Sequence, residues 1–181
     1  MKEKEKREFN GIIMPVLKNE EFQKRKKYCH HDDSVFEHSL KVAQLAYKIS
    51  KKLKLDYRSA TIGAILHDFY YHDWQQNKKK KSFFKLHGFA HAAEAKENAK
   101  THFPHMMNKK IENIIERHMF PLTIRPPFYL ESWLVCLIDK GVSLTILKNP
   151  RKLPRYIGLK EVKNDRKNDC RNCNHHRNRR D

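Results

Sequence analysis

Six side chains of two chemical types interrupt the apolar faces of this chain: His38, His67, Asp68, His91, His118 and Asp139. His38 falls on the helical line 38, 42, 45, 49, whose other members are Val42, Leu45 and Ile49, and so is expected to point inward. His67 and Asp68 end the most apolar stretch. His118 completes the stripe Ile111, Ile114, Ile115, and Asp139 shares a face with Val135, Val142 and Ile146. His91 stands on the side of Ala95 and Ala99. Buried ionisable groups are costly unless paired or bound to a metal. One inward histidine is ordinarily a hydrogen-bonded core residue. A His or Asp on the inner face of each of five helices points instead to a common purpose. Neutral imidazole and carboxylate together are ligands of Zn, Fe, Mn and related ions, and helical bundles place metals in their cores this way.

The elements that must position these groups are helical almost throughout. Ser34 and Glu37 have capping-box spacing, so a helix should start near Val35 with the stripe Val42, Leu45, Ala46, Ile49, Leu53. Asp56 is an N-cap for a second helix through Ala60, Ala64, Ile65 and Leu66, apolar on most sides and therefore central. Residues 71–86, rich in Lys and aromatics, read as a loop. A third helix is expected over about His91 to Lys100 and a fourth from Asn108. Pro121, Pro126 and Pro127 then break the chain. A fifth helix runs from about Leu130 to Leu147, with Val135, Ile138, Val142 and Ile146 on one face, and Pro150 and Pro154 close the domain. The expected organisation is a basic N-terminal extension in one helix over 1–27, an all-α domain over 28–150, and a basic, disordered tail over 151–181.

Composition sets the outer limits. The chain has 181 residues, 39% of them hydrophobic and 33% charged, enough for one domain with tails. No apolar run approaches the roughly 18–20 residues of a membrane span. The N-terminus leads into no signal-type segment, and four Cys make no disulfide scaffold, so a reduced cytoplasmic protein is the expectation. The net charge is +18, but residues 1–27 carry +4 of it, 151–159 carry +3 and 160–181 another +4. More than half of the excess thus lies outside the segment expected to fold. Non-specific affinity for polyanions follows from this, whereas no base-reading motif is present.

Other residues carry weaker signals. His30 and His31 line an entrance or are simply solvated. His102 and His105 flank Pro104 in a turn. Cys170 and Cys173 with His175 and His176 resemble half of a zinc ligand set whose other half is absent, and read as part of the tail. Trp74, Phe83 and Phe84 form either a lid or a packed satellite cluster.

The set His38, His67-Asp68, Asp139, in the local wording Val35-Phe36-Glu37-His38-Ser39, Gly63-Ala64-Ile65-Leu66-His67-Asp68 and Leu137-Ile138-Asp139-Lys140, resembles the HD-domain superfamily of metal-dependent phosphohydrolases. The resemblance covers about residues 28–148 and implies an HD-like bundle of five or more helices around a metal site. With His91 and His118 in place, the chain is similar to the two-metal branch, whose ligand order is His, His-Asp, His, His, Asp, as in HD-GYP phosphodiesterases and bacterial diadenosine tetraphosphate hydrolases. The Gly-Tyr-Pro signature of the former is missing, which disfavours cyclic di-GMP. Many HD proteins place a catalytic Lys or Glu three residues after the Asp. Here that position is Tyr71, so the general acid is unassigned and His72 and Asp73 are nearby candidates.

The resemblance implies that His38, His67 and Asp139 hold one divalent ion and His91 and His118 the other, with Asp68 bridging them. Fe or Mn is favoured over Zn, Ni, Co or Mg. A metal-activated hydroxide would then attack a phosphate mono- or diester of a small substrate, a nucleotide being favoured. His87, Arg125 and Lys140 are candidates for contacts to the substrate, and His87 is also an alternative ligand to His91. Two other readings compete: a di-iron HD-type oxygenase with the same ligands, and a non-catalytic basic domain binding RNA or another polyanion. Nothing in the sequence sets the oligomeric state.

Overall fold

The computed structural model describes residues 1–24, 29–30, 33–70 and 84–148. Residues 1–150 cluster as one compact unit. The tail expected beyond residue 150, with Cys170, Cys173, His175 and His176, lies outside the described residues, as do Trp74 and Phe83.

Among the described residues there are seven α-helices: α1 (Glu3–Leu17), α2 (Glu20–Gln23), α3 (Val35–Lys52), α4 (Tyr57–Leu66), α5 (Phe84–His102), α6 (Lys109–Arg117) and α7 (Leu130–Lys148). Strand pairing among the described residues is confined to a two-residue antiparallel pair, β1 (Cys29–His30) with β2 (Asp33–Ser34). The all-α expectation holds.

Helix α4 is the central element. Every residue from Ser59 to Leu66 is buried, and α4 packs against α1, α3, α5, α6 and α7. Asp56 caps it, its Oδ1 accepting from the Ser59 amide at 2.9 Å. Asn108 caps α6 in the same way, accepting from Ile111 N at 2.9 Å, and its Nδ2 donates to Ser59 Oγ at 3.0 Å. Buried Glu131 on α7 accepts from the Asp56 amide and from Lys110 Nζ, each at 2.9 Å, tying α4, α6 and α7 together. Gly63 lets α6 approach: a Cβ there would lie 2.7–2.9 Å from Ile114 side-chain atoms.

Three elements differ from the sequence expectation. Helix α3 is turned relative to the expected stripe, keeping Val42 and Ala46 of it inside. It buries Val42, Ala43, Ala46, Tyr47 and Ser50, while Leu45 and Leu53 are exposed. The reason is that α3 has partners on two sides, with Tyr47 packed edge-on against Tyr57 of α4 and tilted against Phe9 of α1. Helix α5 begins at Phe84, ahead of His91, so part of the expected loop is helical. The first 23 residues form two helices rather than one, and their apolar face is covered. Phe9, Ile12, Ile13, Val16 and Leu17 of α1 are buried, and so is Phe22 of α2.

Candidate metal centre

Helices α3 to α7 each deliver one histidine or aspartate to a common point, and Asp68 follows directly after α4. His38 lies in the second turn of α3, His91 within α5 and Asp139 within α7. His67 and His118 are the C-cap residues of α4 and α6. These two use the same local device. Each Nδ1 donates to the carbonyl three residues back, His67 to Ala64 and His118 to Ile115, both at 2.7 Å. A carbonyl only accepts, so Nδ1 carries the proton and Nε2 is left to face the centre.

Asp68 sits between two histidine groups. Its Oδ2 is 3.2 Å from His67 Nε2 and 4.0 Å from His38 Nε2. Its Oδ1 is 3.4 Å from His118 Nε2 and 3.6 Å from His91 Nε2. On the first side, Asp139 Oδ1 lies 2.9 Å from His38 Nε2 and 3.5 Å from His67 Nε2. On the second, the Nε2 atoms of His91 and His118 are 3.1 Å apart. All six residues of the sequence-derived set therefore meet. His38, His67 and Asp139 form one group able to hold a metal ion, and His67, Asp68 and His118 another.

The electrostatics suit a cation. His67 is fully buried, and its Nε2 has no hydrogen-bond partner among the described residues although it points between two carboxylates. Burial works against its charge, but Asp68 and Asp139 outweigh burial and push its pKa up to about 10. The same burial would raise both carboxyls. The neighbouring histidines instead hold Asp68 and Asp139 well below the usual carboxylate range. Two ionised carboxylates beside His67 favour a positive charge there, and a divalent ion bound at the site would displace the Nε2 proton and take its place.

Other parts of the fold hold these groups in place. The turn carrying Asp68 is fixed from α5, where Asn98 Nδ2 donates to Phe69 O at 2.9 Å. Phe69 also packs on Phe22 and Phe103, with ring centres 5.6 and 5.8 Å apart. The Tyr70 ring lies 5.1 Å from that of His91. Sequence reasoning missed Asn98 and Phe22. Asn98 was within reach, because it follows His91 by seven residues on the same helical face.

The remaining candidates fall elsewhere. Lys140 Nζ donates to the His118 carbonyl at 2.7 Å and lies 3.3 Å from Cys136 Sγ, so it braces the end of α6. Arg125 is in the exposed loop between α6 and α7. His72 and Asp73 lie outside the described residues, and so does the side chain of His87.

The HD domain family matches residues 35–141. No curated protein and no solved structure matches the chain. The superfamily is one of metal-dependent phosphohydrolases, and the matched stretch holds all six converging residues. With the match covering more than half of its length, the chain belongs to the HD domain family.

Proposed function

We propose that the protein is a phosphohydrolase with two divalent ions, His38, His67 and Asp139 holding one, His91 and His118 the other, and Asp68 shared between them. One observation carries this reading: the two carboxylate oxygens of Asp68 face separate histidine groups. Bound there, the ions would acidify a water and draw off charge from phosphate oxygens, which is the usual service of paired metals in phosphoryl transfer. The chain's own part is to pre-position the donors. The Nδ1–carbonyl bonds of His67 and His118 fix both the tautomer and the ring orientation, so little reorganisation is needed.

The substrate class we infer is a small phosphate ester, with nucleotides first. Arg125, an exposed cation on the loop that follows His118, is assigned to the phosphates, and His72 and Asp73 to proton delivery at the leaving group. The reading places the protein in the cytoplasm. No described helix is long and apolar enough to cross a membrane.

The test is phosphate release from a panel of nucleotides under nitrogen, with Fe- or Mn-loaded protein and an Asp68→Ala variant. Turnover without oxygen, lost by about 10³-fold or more in the variant while its helical circular dichroism is kept, supports the hydrolase. Turnover only with oxygen supports the di-iron oxygenase instead.

A further inference from the structure

The two proposed ions draw on different parts of the bundle. His38, His67 and Asp139 come from α3, the end of α4 and α7, and these three helices pack directly on one another. His91 comes from α5, which lies against α4 and α6. Between His91 and His102 the buried apolar side chains of α5 are Ala92, Ala95 and Ala99. Alanines let a helix come close, but they raise no ridge that locks it against sliding along its axis. The ion pairs from α5 to α6, Lys96–Glu116 at 3.2 Å and Lys100–Glu112 at 2.9 Å, are partly exposed and hold little. Asn98 is placed differently. It stands seven residues after His91, two turns on along the same face and about 10 Å away along the axis. Its Nδ2 donates to the carbonyl of Phe69, the residue next to Asp68. A second contact between these segments, the Tyr70 ring against that of His91, lies at the ligand itself.

We propose that Asn98 is a positioning residue for the second ion, setting the register of α5 so that His91 Nε2 faces Asp68 Oδ1; the inference rests on the two-ion reading above. The bond runs from the helix that carries His91 to the main chain that carries Asp68. It therefore spans the two groups, 3.6 Å apart, between which the second ion would sit. When it is removed, α5 is the partner free to shift. Asp68 stays tied to its own helix end, where Phe69 N donates to Leu66 O at 3.0 Å, and the Phe69 ring stays packed on Phe22. Ligand distances around a bound ion tolerate only about 0.2 Å, so a small slide of α5 is felt at His91. The first ion is indifferent to it. None of His38, His67 and Asp139 is on α5, and Asp139 Oδ1 and His38 Nε2 lie 2.9 Å apart. A bond that merely held the fold together would, on removal, weaken both ions alike or neither.

Titration of the metal-free, full-length protein with Mn(II) under nitrogen tests this, the free ion being counted by its electron paramagnetic resonance signal. The wild type should take up two ions. Asn98→Ala should bind the second about 10-fold or more weaker and the first within about 2-fold of wild type. Asn98→Asp, close in shape but without the donor, should do the same, and it gives the reading if Asn98→Ala fails to fold. Asn98→Gln keeps the donor on a longer arm and should recover part of the loss. A wild type with two ions beside folded Asn98→Ala or Asn98→Asp variants that keep both, or weaken both alike, overturns the proposal and leaves the two-ion reading standing. Uptake of one ion or none by the wild type overturns both.

Discussion

Asp68 and Asp139 are both ionised at the centre of the domain, yet they do different work. Asp139 offers one oxygen to His38 and His67, whereas Asp68 has an oxygen toward each histidine group. Lys140 acts one step further out. By donating to the carbonyl of His118, it holds the residue whose Nε2 faces Asp68. Lys140→Met should therefore lower metal affinity by about 10-fold or more, as for other partners that orient metal ligands, with Lys140→Arg retaining part of it. Metal titration of the folded variants measures this. A second residue-scale prediction concerns packing. Gly63→Ala would gain up to about 1 kcal/mol in helix propensity, but its Cβ would sit 2.7 Å from Ile114. Overpacking of a tight core costs about 1–3 kcal/mol, so the variant should be net destabilised in urea unfolding. At this scale much was legible in the sequence. Each of the six centre residues is a polar interruption of an apolar helical repeat, which is a local pattern. The braces were less legible, because Lys140 and Asn98 bond to carbonyls of another segment and only the fold brings those within reach.

At the scale of elements, α1 and α2 show what periodicity misses. A basic segment with one apolar stripe reads as an extension, because nothing local says which surface will cover the stripe. In the fold, Phe9 meets Tyr47, and Phe22 reaches the Phe69 ring beside Asp68. Glu8 then locks α1 to α3 and α4. It accepts from Tyr47 and Tyr57 hydroxyls at 2.7 and 2.6 Å and pairs with Lys51. The Lys51 ammonium, followed by the two hydroxyls, lowers the Glu8 pKa to about 2. A carboxyl with a depressed native pKa stabilises the fold fully above its unfolded value and loses that contribution as pH falls toward the native one. The stability gap between wild type and Glu8→Gln should thus be constant above about pH 5 and close between about pH 4.5 and 2. Denaturant unfolding across that range checks it; a gap independent of pH would show that the carboxylate charge is not what Glu8 contributes. The face of α3 was misread for a related reason. A stripe through Leu45 suits a helix with one neighbour, and α3 meets α1, α4 and α7.

For the whole molecule, the five helices that carry the centre converge, and residues 28–150 hold only +7 of the net charge of +18. Over half of the +18 lies in residues 1–27 and 151–181, and attraction of the chain to polyanions should weaken steeply with salt. The proposed chemistry belongs to the centre. The central claim is that it holds two ions, and counting them tests it most directly. Elemental analysis of untagged protein purified without oxygen, beside His118→Ala, should give about two Fe or Mn per chain, falling toward one in the variant, because His118 is proposed to hold only the second ion. One metal or fewer per chain in both proteins would contradict the account and return His91 and His118 to structural roles.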